Sequence, residues 1–213
     1  TVKQIEKIVD KTDGCIVWGG HLGIAPADDV IINVEEELSF ESFDKIIVSI
    51  MAKKVAVSTN HLVLDIPVGS TMKIRHFDDA EKIAYKFKQL GKKFGIKVVV
   101  DINQSLEPAG NGVGAALEAL DVLYILEQKK ERAMALETKT LRLAGKLLDI
   151  CFKDAKINKN GEEEAKNILY SGQALEKFRQ IVKAQGGNDQ ISSEKFKLRA
   201  DRSVIKSKKS GKI

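Results

Sequence analysis

Lys97-Val98-Val99-Val100-Asp101-Ile102 is the stretch on which the fold turns. It is a short β-branched run bounded by Gly95 and by the glycine-rich segment Ala109-Gly110-Asn111-Gly112-Val113-Gly114. That pattern fits a strand buried on both faces of a sheet. Just upstream, residues 78–94 carry Ala80, Ile83, Ala84, Phe87, Leu90 and Phe94 at helical spacing, so these six face inward. Before them His61-Leu62-Val63-Leu64-Asp65-Ile66 forms another apolar run, closed by Pro67 and Gly69, and residues 71–75 suit a further strand. Strands alternating with helices predict an α/β fold, a mixed and mostly parallel sheet flanked by helices.

Downstream, the loop at 104–114 opens into a helix over 115–127. The pattern is then helical over 132–153, 161–171 and 173–185, until Gly186-Gly187-Asn188 breaks it. Beyond Ser193 apolar and charged residues alternate (Phe196, Leu198, Val204, Ile205), as in a half-buried strand. Toward the N-terminus, residues 42–58 predict a helix with Ile46, Ile47, Ile50, Met51 and Val55 on its apolar side. Asp29-Val30-Ile31-Ile32-Asn33-Val34 is a β-branched run in the place of a strand. Cys15-Ile16-Val17-Trp18 suits a short buried strand entering the turn Gly19-Gly20, and residues 2–13 a helix with Val2, Ile5, Ile8 and Val9 on one face.

The 213 residues are 43% hydrophobic and 31% charged, an ordinary globular composition. No run approaches the roughly 20 apolar residues of a membrane span, and the N-terminus is amphipathic helix rather than signal peptide. Cys15 and Cys151 stand far apart in apolar surroundings, which suggests reduced, buried thiols in a cytoplasmic protein. The net charge of +5 comes from the last stretch, Lys195 to Lys209. A basic tail can bind nucleic acid, but the alternating pattern here favours a strand, so no nucleic-acid partner is expected.

The glycine loop at 109–114 invites a dinucleotide reading, which fails in detail. Its glycines run G-x-G-x-G, the gap from the strand is too long, and no acidic residue ends a following strand about 20 residues on. Tight turning and close helix packing account for the glycines, with a ligand or ion site on the loop backbone as the alternative. On the helix at 42–58, Ser49 and Lys53 lie four residues apart and project from one face. Glu41 precedes them by two turns, within about 80° of Ser49. A hydroxyl, an ammonium and a carboxylate on one edge could hydrogen-bond a heterocyclic base, although Lys53-Lys54 is equally an ordinary solvated pair. His21 follows the glycine turn at a strand's end, His61 suits a structural role, and His76 suits an exposed one.

Five segments, taken in order, resemble the thymidine phosphorylase/AMP phosphorylase family. Gly14-Cys15-Ile16-Val17-Trp18-Gly19-Gly20 leading to Ala25-Pro26-Ala27-Asp28-Asp29 is similar to the loop before the base-recognition helix of archaeal-type AMP phosphorylases. Ser49-Ile50-Met51-Ala52-Lys53-Lys54 resembles the S-I-x-[AS]-K-K signature, and Asp65-Ile66-Pro67-Val68-Gly69 the D-x-x-V-G strand. Gly112-Val113-Gly114-Ala115-Ala116-Leu117-Glu118 resembles the A-V-G-x-A-L-E turn and helix, and Phe178-Arg179-Gln180-Ile181-Val182-Lys183-Ala184-Gln185-Gly186-Gly187 the F-x-x-[IM]-[IV]-x-A-Q-G-G segment.

The resemblance implies a pentosyltransferase that cleaves a nucleoside 5'-monophosphate, AMP-like, with inorganic phosphate as co-substrate and no organic cofactor. By the same likeness Ser49 and Lys53 contact the base, Glu41 donates a proton to it, and Lys73 is a further nucleotide contact. The family's donor is usually Asp, and Glu35 stands near the place of the arginine found in pyrimidine-type members. Some bacterial relatives hold potassium through loop carbonyls and a helix carboxylate; here those would be Ala109, Gly112 and Asp121. Residues 1–25 and 58–190 would form part of the α/β phosphorylase domain, 26–57 a segment of a small helical lobe, and 191–213 the start of a C-terminal domain.

The family's phosphate-binding segment has no counterpart in the chain. The expectation is therefore a fragment, inactive and monomeric alone, from a homodimeric parent. A thymidine or pyrimidine-nucleoside phosphorylase and a non-catalytic α/β ligand-binding module remain as alternatives.

Overall fold

The computed structural model describes residues 1–17, 23–38, 42–198 and 203–211. Two strands, β1 (His61–Val68) and β2 (Lys97–Gln104), pair in parallel from His61 opposite Lys97 to Val68 opposite Gln104. The helix between them, α4 (Phe77–Lys93), is the crossover that parallel strands require. It packs on the sheet beside α3 (Phe43–Ala56).

Side chains alternate across a strand, and the alternation here separates two unlike faces. Leu62, Leu64, Ile66 and Val68 of β1, with Val98, Val100 and Ile102 of β2, meet Ile83, Ala84 and Phe87 of α4 and Ile47 and Met51 of α3 in the principal apolar core. The opposite face is ionic. It lies against α6 (Met134–Ala155), whose Lys139 binds Asp65 at 2.6 Å. Arg142 Nη2 binds Asp101 at 2.8 Å, and Lys146 binds the same carboxylate. At the far end of α6, Asp154 accepts from His61 Nε2 at 2.7 Å and from Lys97. β2 is thus apolar on one face and ionic on the other, not apolar on both as its composition suggested.

Asp101 is only 4% exposed. Burial would raise its carboxyl, but the hydrogen bonds and charges of Lys146 and Arg142 outweigh burial and hold it below its usual value. His61 therefore has the structural place expected of it, and His76, just before α4, is exposed.

A second core joins α5 (Ala115–Leu126), α6, α7 (Gly161–Tyr170) and α8 (Gln173–Ala184) through Ile125, Leu141, Ala165, Leu169 and Ala174. Glu137 is 1% exposed there, yet it accepts from Arg132 Nε at 2.8 Å, Gln128 Nε2 at 3.1 Å and Tyr170 Oη at 3.2 Å. Two glycines let α6 and α7 touch: a Cβ on Gly161 would lie 2.1 Å from the Gly145 carbonyl oxygen. α1 (Val2–Thr12), opened by a Thr1/Gln4 capping box, lies on α8.

Several expected strands are absent among the described residues. Asp29–Val34 lies inside a helix, α2 (Pro26–Leu38). Proline at the first helical position and Asp28 and Asp29 in the first turn favour a helix start there, and they prevail over β-branched propensity. Residues 15–17 form no strand, and Ile16 pairs instead with the Gln185 side chain, its N–H donating to Oε1 at 2.7 Å and its carbonyl accepting from Nε2 at 2.8 Å. Residues 71–75 reduce to one isolated bridge between Val68 and Ile74.

The alternating tail forms no strand in its described part, where Ile205 is 96% exposed. Phe94 is exposed because α4 ends before it, and both free cysteines are half-buried rather than buried. Among the described residues no helix is long and apolar enough to cross a membrane.

Candidate functional site

Ser49 and Lys53 occupy successive turns of α3, and a carboxylate absent from the sequence-based site brings them together. Asp28, in the first turn of α2, accepts from Ser49 Oγ at 2.7 Å and binds Lys53 Nζ at 2.8 Å, both through Oδ2. Its other oxygen lies 3.9 Å from Lys45 Nζ, which in turn binds Glu35 at 2.5 Å. Asp28 is 8% exposed. Burial would raise its pKa, but hydrogen bonds from Lys53 and Ser49 and the charges of Lys53 and Lys45 lower it below the usual value. The positive end of α2 favours the same ionised form. Glu35 is the ion-pair partner of Lys45.

Lys73 follows β1 across a tight turn. Gly69 N–H donates to the Ile74 carbonyl at 3.1 Å, and Met72 N–H donates to the Gly69 carbonyl at 3.0 Å. A Cβ on Gly69 would lie 2.1 Å from the Ser105 carbonyl oxygen, so the residue type is dictated by the close approach of the chain leaving β2. Lys73 and Asp65 line a 250 Å³ cavity whose wall includes Ile46 and Ile50 of α3 and Met72. On the helical wheel Lys53 lies roughly 20–60° from Ile46 and Ile50. Lys53 and two wall residues of that cavity thus share one broad side of α3. Ligands of open α/β sheets bind at the carboxyl ends of strands, and the turn bearing Lys73 is at such an end.

The glycine loop is held by Asp121 of α5. Its Oδ2 accepts from the N–H groups of Asn111 at 2.7 Å and Gly112 at 2.8 Å, and a Cβ on Gly110 would lie 2.8 Å from that same oxygen. Gly112 and Asp121 are therefore in contact, with Asp121 serving the loop's amides. Ala109 lines a separate 490 Å³ hollow with Asn103, Lys139 and Arg142. Among the described residues no group of three or more His, Cys, Asp or Glu is placed to hold a metal. Glu41 and His21 lie outside the described residues.

In the sequence Asp28 stood only as part of the loop segment Ala25-Pro26-Ala27-Asp28-Asp29, with no role of its own. Its pairing with Ser49 spans 21 residues and depends on how α2 crosses α3.

What the arrangement can do chemically is bind a polar, planar group. A fixed hydroxyl and a fixed ammonium converge on one carboxylate oxygen.

No family model matches the chain. Curated proteins do. The AMP phosphorylase of Methanococcus maripaludis strain C5 is 41% identical over 192 residues, 90% of this chain and 38% of that protein. AMP phosphorylase 1 of Archaeoglobus fulgidus is 40% identical over 194 residues, 91% of this chain and 38% of that protein. A Hahella chejuensis protein provisionally named a thymidine phosphorylase is 40% identical over 187 residues, 88% of this chain and 37% of its own length. The chain spans less than two fifths of the length of these relatives.

Proposed function

We infer that the chain is a segment of the thymidine phosphorylase/AMP phosphorylase family and that it supplies the base-holding side of a phosphorolysis site. The observation that carries this reading is the convergence of Ser49 and Lys53 on one carboxylate, on a helix whose Ile46 and Ile50 wall a cavity that Lys73 also lines. In the reaction, inorganic phosphate attacks C1' of the ribose, the N-glycosidic bond breaks and the free base departs. Charge builds on the base as the bond lengthens, so donors fixed around it stabilise the transition state more than the ground state. Lys53 supplies such a donor, and Glu41 is assigned as the general acid that protonates the leaving base.

The likeness to two AMP phosphorylases favours a nucleoside 5'-monophosphate as substrate, with Lys73 as a further nucleotide contact. Residues 26–57 are assigned to a small lobe that meets the sheet domain through α3, whose Ile47 and Met51 enter the principal core. We place the protein in the cytoplasm, in keeping with its two free thiols, and assign the parent as a homodimer. Potassium, if bound, would lie at Ala109, Gly112 and Asp121.

Phosphate-dependent release of base from AMP, CMP and thymidine tests the reading, run on this chain and on longer polypeptides that contain it. Preference for AMP supports the assignment. Preference for thymidine moves it to the pyrimidine-nucleoside branch. Base release from none of the three by any folded polypeptide would overturn it in favour of a non-catalytic ligand-binding module.

A further inference from the structure

We propose that Asp28 is the positioning residue of the base site, fixing the hydrogen-bond polarity of Ser49 and aiming Lys53 so that the two present one acceptor beside one donor. The proposal rests on the preceding reading, in which Ser49 and Lys53 face the base.

A serine hydroxyl has a single proton to give. Ser49 gives it to Asp28 Oδ2 at 2.7 Å, and an ionised carboxylate cannot return a donor. Toward a ligand, Ser49 then offers only lone pairs. Lys53 spends one of its three N–H groups on the same oxygen, at 2.8 Å, and keeps two. The surroundings keep Asp28 ionised: Lys53 and Lys45 on α3 flank its two oxygens, Glu35 on its own helix engages Lys45 rather than Asp28, and the N-terminal end of α2 lies beneath it.

The consequence is a rule about edges rather than about bases. An acceptor beside a donor matches any base edge that sets an N–H next to a lone pair. Adenine offers N6–H beside N1 or N7, cytosine N4–H beside N3, and thymine N3–H beside O4. Ser49 and Lys53 therefore demand an N–H on the base without choosing among the three. An analogue that has lost that N–H leaves the Ser49 lone pairs unmatched, and a site built for a hydrogen bond discriminates strongly against such a loss.

The test uses the full-length protein carrying this chain. It compares kcat/KM for the preferred substrate with that for the same substrate lacking the N–H: purine ribonucleotide against AMP, or 3-methylthymidine against thymidine. The native protein should disfavour the analogue at least tenfold. Asp28→Asn brings an amide that can donate to Ser49 Oγ as well as accept from it, so Ser49 is no longer held to the acceptor role and discrimination should fall by about tenfold. A merely structural role for Asp28 would leave the discrimination unchanged. Ser49→Ala should erase the discrimination too, and it serves where Asp28→Asn fails to fold.

Unchanged discrimination in a folded Asp28→Asn protein overturns the proposal while leaving the base site intact, provided Lys53→Ala still cripples turnover. If Lys53→Ala and Ser49→Ala both turn over normally, the base-site reading falls and the proposal falls with it.

Discussion

Asp65 and Asp101 are register partners across the parallel β1–β2 pair, and one amide bridges them: Asn103 Nδ2 donates to Asp65 Oδ1 at 2.6 Å and to Asp101 Oδ2 at 3.2 Å. Two like charges side by side are tolerated because α6 lays Lys139, Arg142 and Lys146 over them. Replacing Asp101 with Asn should leave two cations without their shared anion. Arg142 and Lys146 are each more than a third exposed and can recover water, so the expected loss is about 1–3 kcal/mol. Urea unfolding of the Asp101→Asn protein reads this directly; a midpoint equal to the native one would mean the ionic face contributes nothing.

The same carboxylates set an acid limit. Asp101 and Asp28 both have pKa values lowered in the folded state from the ordinary 3.8. Below that value the unfolded chain takes up protons more readily than the folded one, so the stability they contribute is fully present above it and is lost as pH falls through the lower, folded values. Stability of the native protein should therefore fall steeply below about pH 4, and the slope should be shallower in Asp101→Asn. Parallel acid-unfolding curves for the two proteins would count against this.

Where α6 crosses α7 there is no space for a methyl group. Gly145→Ala would place Cβ 2.8 Å from Glu162 Cα and 2.9 Å from its amide nitrogen, both backbone atoms that cannot swing away. The helices must separate, at a cost of about 1–3 kcal/mol from overpacking. The gain in helix propensity on leaving glycine, about 1 kcal/mol, offsets only part of that. A thermal midpoint at or above the native one in Gly145→Ala would show that the close approach is unnecessary.

Removing the Lys53 ammonium should be felt in catalysis more than in stability. In the full-length protein Lys53→Ala is expected to lower turnover at least tenfold, or about 1.4 kcal/mol of transition-state stabilisation, with substrate affinity less affected. Steady-state kinetics on a folded variant decide it, and near-normal kcat would remove Lys53 from the mechanism.

How much of this was legible in the sequence varied with the range of the forces involved. The helices at 2–13, 42–58, 78–94, 115–127 and from 132 onward, and the strands at 61 and 97, follow from local periodicity and glycine punctuation, and the structure has them. The β-branched run at Asp29–Val34 misled because Pro26 and two first-turn acids start a helix there. The ionic face of β2 did leave a signal, since Lys97, Val99, Asp101 and Asn103 alternate with Val98, Val100 and Ile102. Composition, taken without that alternation, suggested burial on both sides. Asp28 left no comparable trace: nothing in its own neighbourhood names Ser49, and only the crossing of α2 and α3 brings them within 2.7 Å.

The docking of α1 on α8 bears on the order in which the molecule assembles. β1 and β2 join across a single helix, whereas Ile16 meets Gln185 only after a loop of 169 residues has closed. Longer loops cost more entropy to close, and this one is secured by little: α8 has no buried residue and α1 buries only Thr12. The first helix should therefore be the last piece to settle and the first to lift away, opening at a free energy well below that of global unfolding. Hydrogen exchange would show it, with α1 amides losing protection long before those of β2; equal protection in both would mean that the whole chain opens as one unit.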